Sequence, residues 1–72
     1  MTWEEEETAT FDCKQVTRET DKAIECILDI DGTVARYWIP KSQIDDDSEV
    51  WSKGDVGELV VTMWIAKEKG LL

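Results

Sequence analysis

The sequence predicts a mainly β fold: a small, partly open barrel of SH3-like or OB-like type, built from antiparallel strands and closed by one short C-terminal helix. Three observations carry this expectation. Two β-rich runs flank an Asp-Gly pair, a glycine- and aspartate-punctuated segment separates them from a further apolar run, and the chain has only 72 residues. So short a chain cannot bury much with a flat sheet, and curling the strands into a barrel is the natural way to cover both faces.

Taken in order, residues 1–8 read as a mobile acidic arm and residues 9–72 as one small domain. In the arm, Trp3 is either a partner anchor or a residue that folds back onto the domain. "ATFDCKQVT", Ala9 to Thr17, reads as a first strand, with "RETD" as the connection. A four-residue loop there sets Thr17 opposite Lys22, Lys14 opposite Glu25, Phe11 opposite Leu28, and Cys13 opposite Cys26. "AIECILDI" (Ala23 to Ile30) and "TVARYWI" (Thr33 to Ile39) are the next two strands, joined by Asp31-Gly32.

Asp-Gly is the preferred loop of a type I′ hairpin, because both central residues need positive φ and the turn matches the twist of the strands. The register follows: Ile30 faces Thr33, Leu28 faces Ala35, Cys26 faces Tyr37, and Ile24 faces Ile39, giving an apolar face. The reverse face pairs Glu25 with Trp38, Ile27 with Arg36, and Asp29 with Val34. The same letters, "ILDIDGTV", also follow the order with which haloacid dehalogenase-type phosphatases open their active site. That chemistry needs a multi-strand parallel sheet, and each parallel pair takes a crossover of a dozen or more residues. Too little chain follows Asp31, so Asp29 is read as a turn residue and not as a nucleophile.

Beyond Pro40, which lacks the amide a central strand requires, "PKSQI" predicts a turn or one turn of 3₁₀ helix with Ile44 pointing inward. "DDDSEVW" predicts an exposed loop leading into a short strand at Val50 and Trp51, and "KGDVG" a further turn. "ELVVTM", Glu58 to Met63, reads as the last strand, and "MWIAKEKGLL" as the closing helix with Trp64 and Ile65 on its buried face. Gly70 suits the position just past the helix end, and Leu71 can fold back on the last turn. Trp38, on the mixed face, is expected to be covered by the arm and the helix.

Charge narrows the function classes. Eight Lys and Arg against 17 Asp and Glu give a net charge of −9. Four of the acids lie in Glu4 to Glu7 and four more are Asp45, Asp46, Asp47 and Glu49; without those eight, nine acids face eight bases. Two acidic runs on a nearly neutral body oppose sequence-independent binding of nucleic acid, whose affinity rests on cations neutralising phosphates. The absence of histidine removes the commonest general base and metal ligand. Two cysteines are too few for a structural zinc site and, with no basic start, apolar run or cleavage pattern at the N-terminus, they are expected as reduced core thiols in a cytoplasmic protein. The Asp45–Glu49 run supplies oxygen ligands but lacks the alternating spacing and glycine of a calcium loop, so no metal or other cofactor is expected.

"WIPKSQI", Trp38 to Ile44, together with Trp64 to Leu71 near the end of the chain, resembles a small phage- and prophage-borne domain of unassigned function. In that domain a strand runs into Trp-Ile-Pro-Lys-Ser-Gln-Ile and a tryptophan-bearing helix precedes Lys-Gly-Leu. The resemblance spans about residues 20–72 and implies a phage-borne module in a host cell, with no known chemistry. The function expected is therefore a non-enzymatic, acidic protein-binding module, with inhibition among its roles, presenting phosphate-like carboxylates to a basic surface of a host or phage protein. Its contact residues would be Asp45, Asp46, Asp47, Glu49, Trp51, Trp38 and Trp3, with a homodimer among the allowed states and no membrane contact. The alternative is a single-stranded nucleic-acid binder that stacks bases on Trp38, Tyr37 or Trp51.

Overall fold

In the computed structural model, which describes residues 7–72, one antiparallel sheet runs in the order β3-β2-β1-β4. Its strands are β1 (Thr8–Glu19), β2 (Ala23–Ile30), β3 (Thr33–Pro40) and β4 (Gly57–Thr62), and the helix α1 (Met63–Glu68) follows. The Asp-Gly hairpin forms as expected, with Asp31 at φ 53° and Gly32 at φ 85°. All seven expected pairs of β2 with β3 are present, from Ile30 with Thr33 to Ile24 with Ile39. Asp29 serves the turn: its carboxylate accepts the Gly32 N–H at 3.1 Å.

The expected barrel is not what forms. β3 and β4 are the two edges of an open sheet, and the chain between them makes a 3₁₀ turn at Lys41–Gln43 followed by a single bridge from Ile44 to Val61. Closure would need a row of bonds between β3 and β4. The chain instead leaves β3 at Pro40, which has no N–H to give, and lays a loop along β4. The core sits on one face of the sheet, where Ile24, Cys26, Leu28, Ile39, Leu59 and Val61 are wholly buried beneath Ile44, Val50, Ile65 and Ala66.

The first strand departs from the simple register. Phe11, Cys13 and Val16 all point inward, at spacings of two and then three, which a regular strand cannot do. Shifts between Cys13 and Gln15 and between Val16 and Arg18 supply the extra residues, so Cys13 pairs with Leu28 and Val16 with Cys26. Val16 then exchanges backbone bonds with the next loop, its N–H donating to Asp55 at 2.9 Å and its carbonyl accepting from Gly54 at 2.8 Å.

Cys13 and Cys26 are therefore not directly opposed, and both are free and completely buried. The Cys13 sulfur beside it, and then burial, push the Cys26 thiol above its ordinary value, so it stays protonated. Intact-mass measurement of protein purified without reductant should find two free thiols, slow to alkylate until the chain is unfolded. A loss of two hydrogens would reveal a bridge between the two neighbouring sulfurs.

The helix ends as its sequence requires. Gly70, at φ 74°, donates to the Lys67 carbonyl and Leu71 to the Ala66 carbonyl at 2.8 Å, the paired bonds of a Schellman motif, and Leu71 is buried against the core. The Thr62 hydroxyl caps the other end by accepting the Ile65 N–H. The expectation for Trp64 fails: Ile65 and Ala66 take the buried face, and Trp64 is 61% exposed. Since successive helical residues turn by about 100°, a face centred between Ile65 and Ala66 leaves Trp64 outside it.

Candidate functional site

The acidic run is not a slack loop. Along the outer edge of β4 the backbone groups of Glu58 and Val60 point away from β1, and residues 45–49 satisfy them. Asp45 donates its N–H to the Val60 carbonyl at 2.8 Å, and Glu49 donates to the Glu58 carbonyl at 2.9 Å. The Glu49 carboxylate accepts the Glu58 N–H at 2.9 Å, and the buried Ser48 hydroxyl accepts the Val60 N–H at 3.2 Å. A loop that alternates backbone and side-chain bonds in this way covers the edge as a further strand would. The expected short strand at Val50 and Trp51 is absent. Val50 is instead a buried loop residue, and Trp51 is half-buried with its indole N–H donating to the Ser48 carbonyl at 2.9 Å.

The four acids of the run thus divide into two kinds. Asp45 and Glu49 hold the loop, Asp45 also accepting the Asp47 N–H at 3.0 Å to close the turn. Asp46 and Asp47 form the exposed tip, and among the described residues no cation lies within ion-pair distance of either. Four carboxylates elsewhere are matched: Asp12 and Asp29 with Lys14 at 3.1 Å and 3.9 Å, the buried Glu25 with Arg18 at 3.6 Å, and Glu19 with Lys41 at 2.7 Å. The Lys41 ammonium, then the Lys53 N–H, hold Glu19 below its ordinary value. The backbone N–H groups of Trp51 and Ser52 do the same for Asp55, which fixes the turn that follows Trp51.

Of the remaining expected contact residues, Trp38 is not brought together with the tip. Trp38 lies on the outer face of the edge strand β3 and is 37% exposed, where cover had been expected, and Trp3 lies outside the described residues. Sequence reasoning missed a groove of about 450 Å³ under the hairpin turn, lined by Phe11, Ile30, Leu71 and Leu72 with Asp12, Asp29 and Asp31 alongside. Its signal in the sequence was weak, since it forms where the Leu71 fold-back meets the start of β1. Among the described residues no group of three or more Cys, Asp or Glu is placed to hold a metal ion, and no helix is long and apolar enough to cross a membrane. Comparison with protein-family models, with curated proteins and with solved structures finds no match.

Proposed function

We propose that this chain is a non-enzymatic protein-binding module, a phage accessory protein of the kind its Trp38–Ile44 motif resembles, that meets a basic surface of a host or phage protein through Asp46 and Asp47. The observation that carries this reading is the division of labour in the loop. Asp45, Ser48 and Glu49 fasten it to β4, so the two remaining carboxylates are presented on a held support with no cation of their own. Fixed, unpaired charge of this kind steers an oppositely charged partner and costs little ordering on binding. The net charge of −9 disfavours the single-stranded nucleic-acid alternative, even though Trp38 is exposed enough to stack on a base.

The test compares the immobilised protein with its D46N/D47N variant in a bacterial lysate. The variant keeps every bond that Asp45 and Glu49 make, so it should melt like the parent while binding a basic partner about a hundredfold more weakly, given about 1.5 kcal/mol or more for each of the two close charge pairs lost. Equal retention by both proteins would remove the tip from the site. Tight binding of single-stranded DNA at about 50 mM salt, where phosphate contacts are strong, would overturn the reading in favour of the alternative.

A further inference from the structure

The two edges of the sheet are finished differently. On β4 the outward backbone groups of Glu58 and Val60 are taken by the loop. On β3 the outward groups are those of Val34, Arg36 and Trp38. This parity follows from the hairpin: Ile30 and Thr33 flank a two-residue loop and exchange both bonds, so Ala35, Tyr37 and Ile39 also turn their N–H and C=O toward β2. The pattern holds beyond the strand, where Lys41 donates to the Lys22 carbonyl at 2.7 Å. Among the described residues no loop reaches the backbone of Val34, Arg36 or Trp38.

Sheet edges are normally blunted by several charges, a proline within the strand, a bulge or a covering segment. β3 has one charge, Arg36; its proline stands at the end, and it pairs with β2 without a register shift. Val34 and Trp38 beside that charge are 55% and 37% exposed. β3 is also the one strand of the sheet without a carboxylate.

We infer that β3 is a self-association edge, to which a second copy of this chain adds its own β3 antiparallel and continues the sheet. Pairing must set outward residues against outward residues, and three two-fold registers do so while opposing at least two of Val34, Arg36 and Trp38 to one another. Centred on Arg36, two guanidinium groups oppose each other. Centred on Ala35, Val34 faces Arg36 and Trp38 gains no partner. Centred on Tyr37, Arg36 faces Trp38 of the second copy, twice over, and Val34 faces its Pro40. The last register forms, because it places each guanidinium on an indole face and strands no charge. Each copy carries a net charge of −9, and the strand free of carboxylates is where two such molecules can meet with least repulsion. The inference is independent of the Asp46–Asp47 tip, which lies on the loop along the opposite edge.

Amide hydrogen exchange reads the pairing directly. A contact this small makes a weak dimer, so wild-type protein is compared at about 20 μM and about 1 mM in about 0.5 M salt, which screens the net charge. Exchange at Val34, Arg36 and Trp38 should slow severalfold at the higher concentration. Ala35 and Tyr37, already bonded to β2, should not change. Sedimentation equilibrium should give a dimer that Arg36→Glu weakens at least about tenfold, since two cation–π pairs are lost and carboxylates enter the interface. Arg36→Pro is the second variant: the N–H it removes serves no bond within the chain, yet dimerisation should be lost. A monomer at about 1 mM, a dimer that both variants form as well as the parent, or slowed exchange elsewhere than on β3 would each overturn the inference.

Discussion

Replacing Leu28 with alanine should cost about 2 to 5 kcal/mol, the range for emptying a buried leucine site. Leu28 is completely buried near the end of the inner strand β2, paired with Cys13 on one side and Ala35 on the other. Neither neighbour can swing in to fill the space, since one is a small thiol and the other a methyl group. A chain of this length has about 4 to 11 kcal/mol of stability in all, at 0.05 to 0.15 per residue, so the variant should lose about half of it. Urea unfolding followed by tryptophan fluorescence measures the shift in midpoint. Ile27→Ala is the internal control: Ile27 lies on the opposite face and is only partly buried, so its truncation should cost clearly less. Equal losses at the two positions would mean that β2 is slipped by one residue, which exchanges its faces.

That comparison bears on why the hairpin was legible in the sequence and the rest less so. Asp31-Gly32 is local chemistry: two residues that tolerate positive φ close a loop of fixed length, and every pair of β2 with β3 follows by counting. No such device joins β1 to β2. The counting register put Cys13 against Cys26, but β1 runs on through the expected loop to Glu19, which pairs with Ile24, and the bulges at Lys14 and Thr17 take back only half of that four-residue shift, leaving Cys13 opposite Leu28. The trace of those bulges was present, because Phe11, Cys13 and Val16 are apolar at spacings that strict alternation forbids. Trp64 was misplaced for another reason. A six-residue helix has too few turns for its periodicity to choose a face, and the choice passes to Leu71, whose fold-back fixes Ala66 inward. Barrel closure was a tertiary matter, decided by whether two distant edges meet.

The acidic loop shows what charge counting misses. Read as a run, Asp45 to Glu49 is a solvated segment; in the fold, three of its residues replace a missing strand on β4. Ser48 and Asp45 are good turn formers because their short polar side chains reach neighbouring backbone. Which edge they would reach depends on β1 pairing with β4, a contact between segments far apart in sequence. Asp46 and Asp47 are the carboxylates of the run left without a bond to the loop or to β4, half of the four that the run contains.

Gly57→Ala should be the most damaging change at this site, at about 2 to 3 kcal/mol. Gly57 opens β4 at φ 144°, a region that side chains rarely adopt and that costs of order 1 to 3 kcal/mol. A Cβ there would also stand 2.6 Å from a Glu49 carboxylate oxygen and 3.2 Å from Glu49 Cβ. The carboxylate must then leave the Glu58 N–H, although water can replace it at that exposed position, so this part of the loss is the smaller. The two parts can be separated. In a Glu49→Ala background the oxygen is gone, and Gly57→Ala should cost only its backbone strain and the 3.2 Å approach to the remaining Cβ. The double-mutant cycle in thermal or urea unfolding should therefore show that the paired changes lose less than the sum of the single ones. Strict additivity would mean that Glu49 does not lie over Gly57, and the loop would then lose the anchor that holds Asp46 and Asp47 in place.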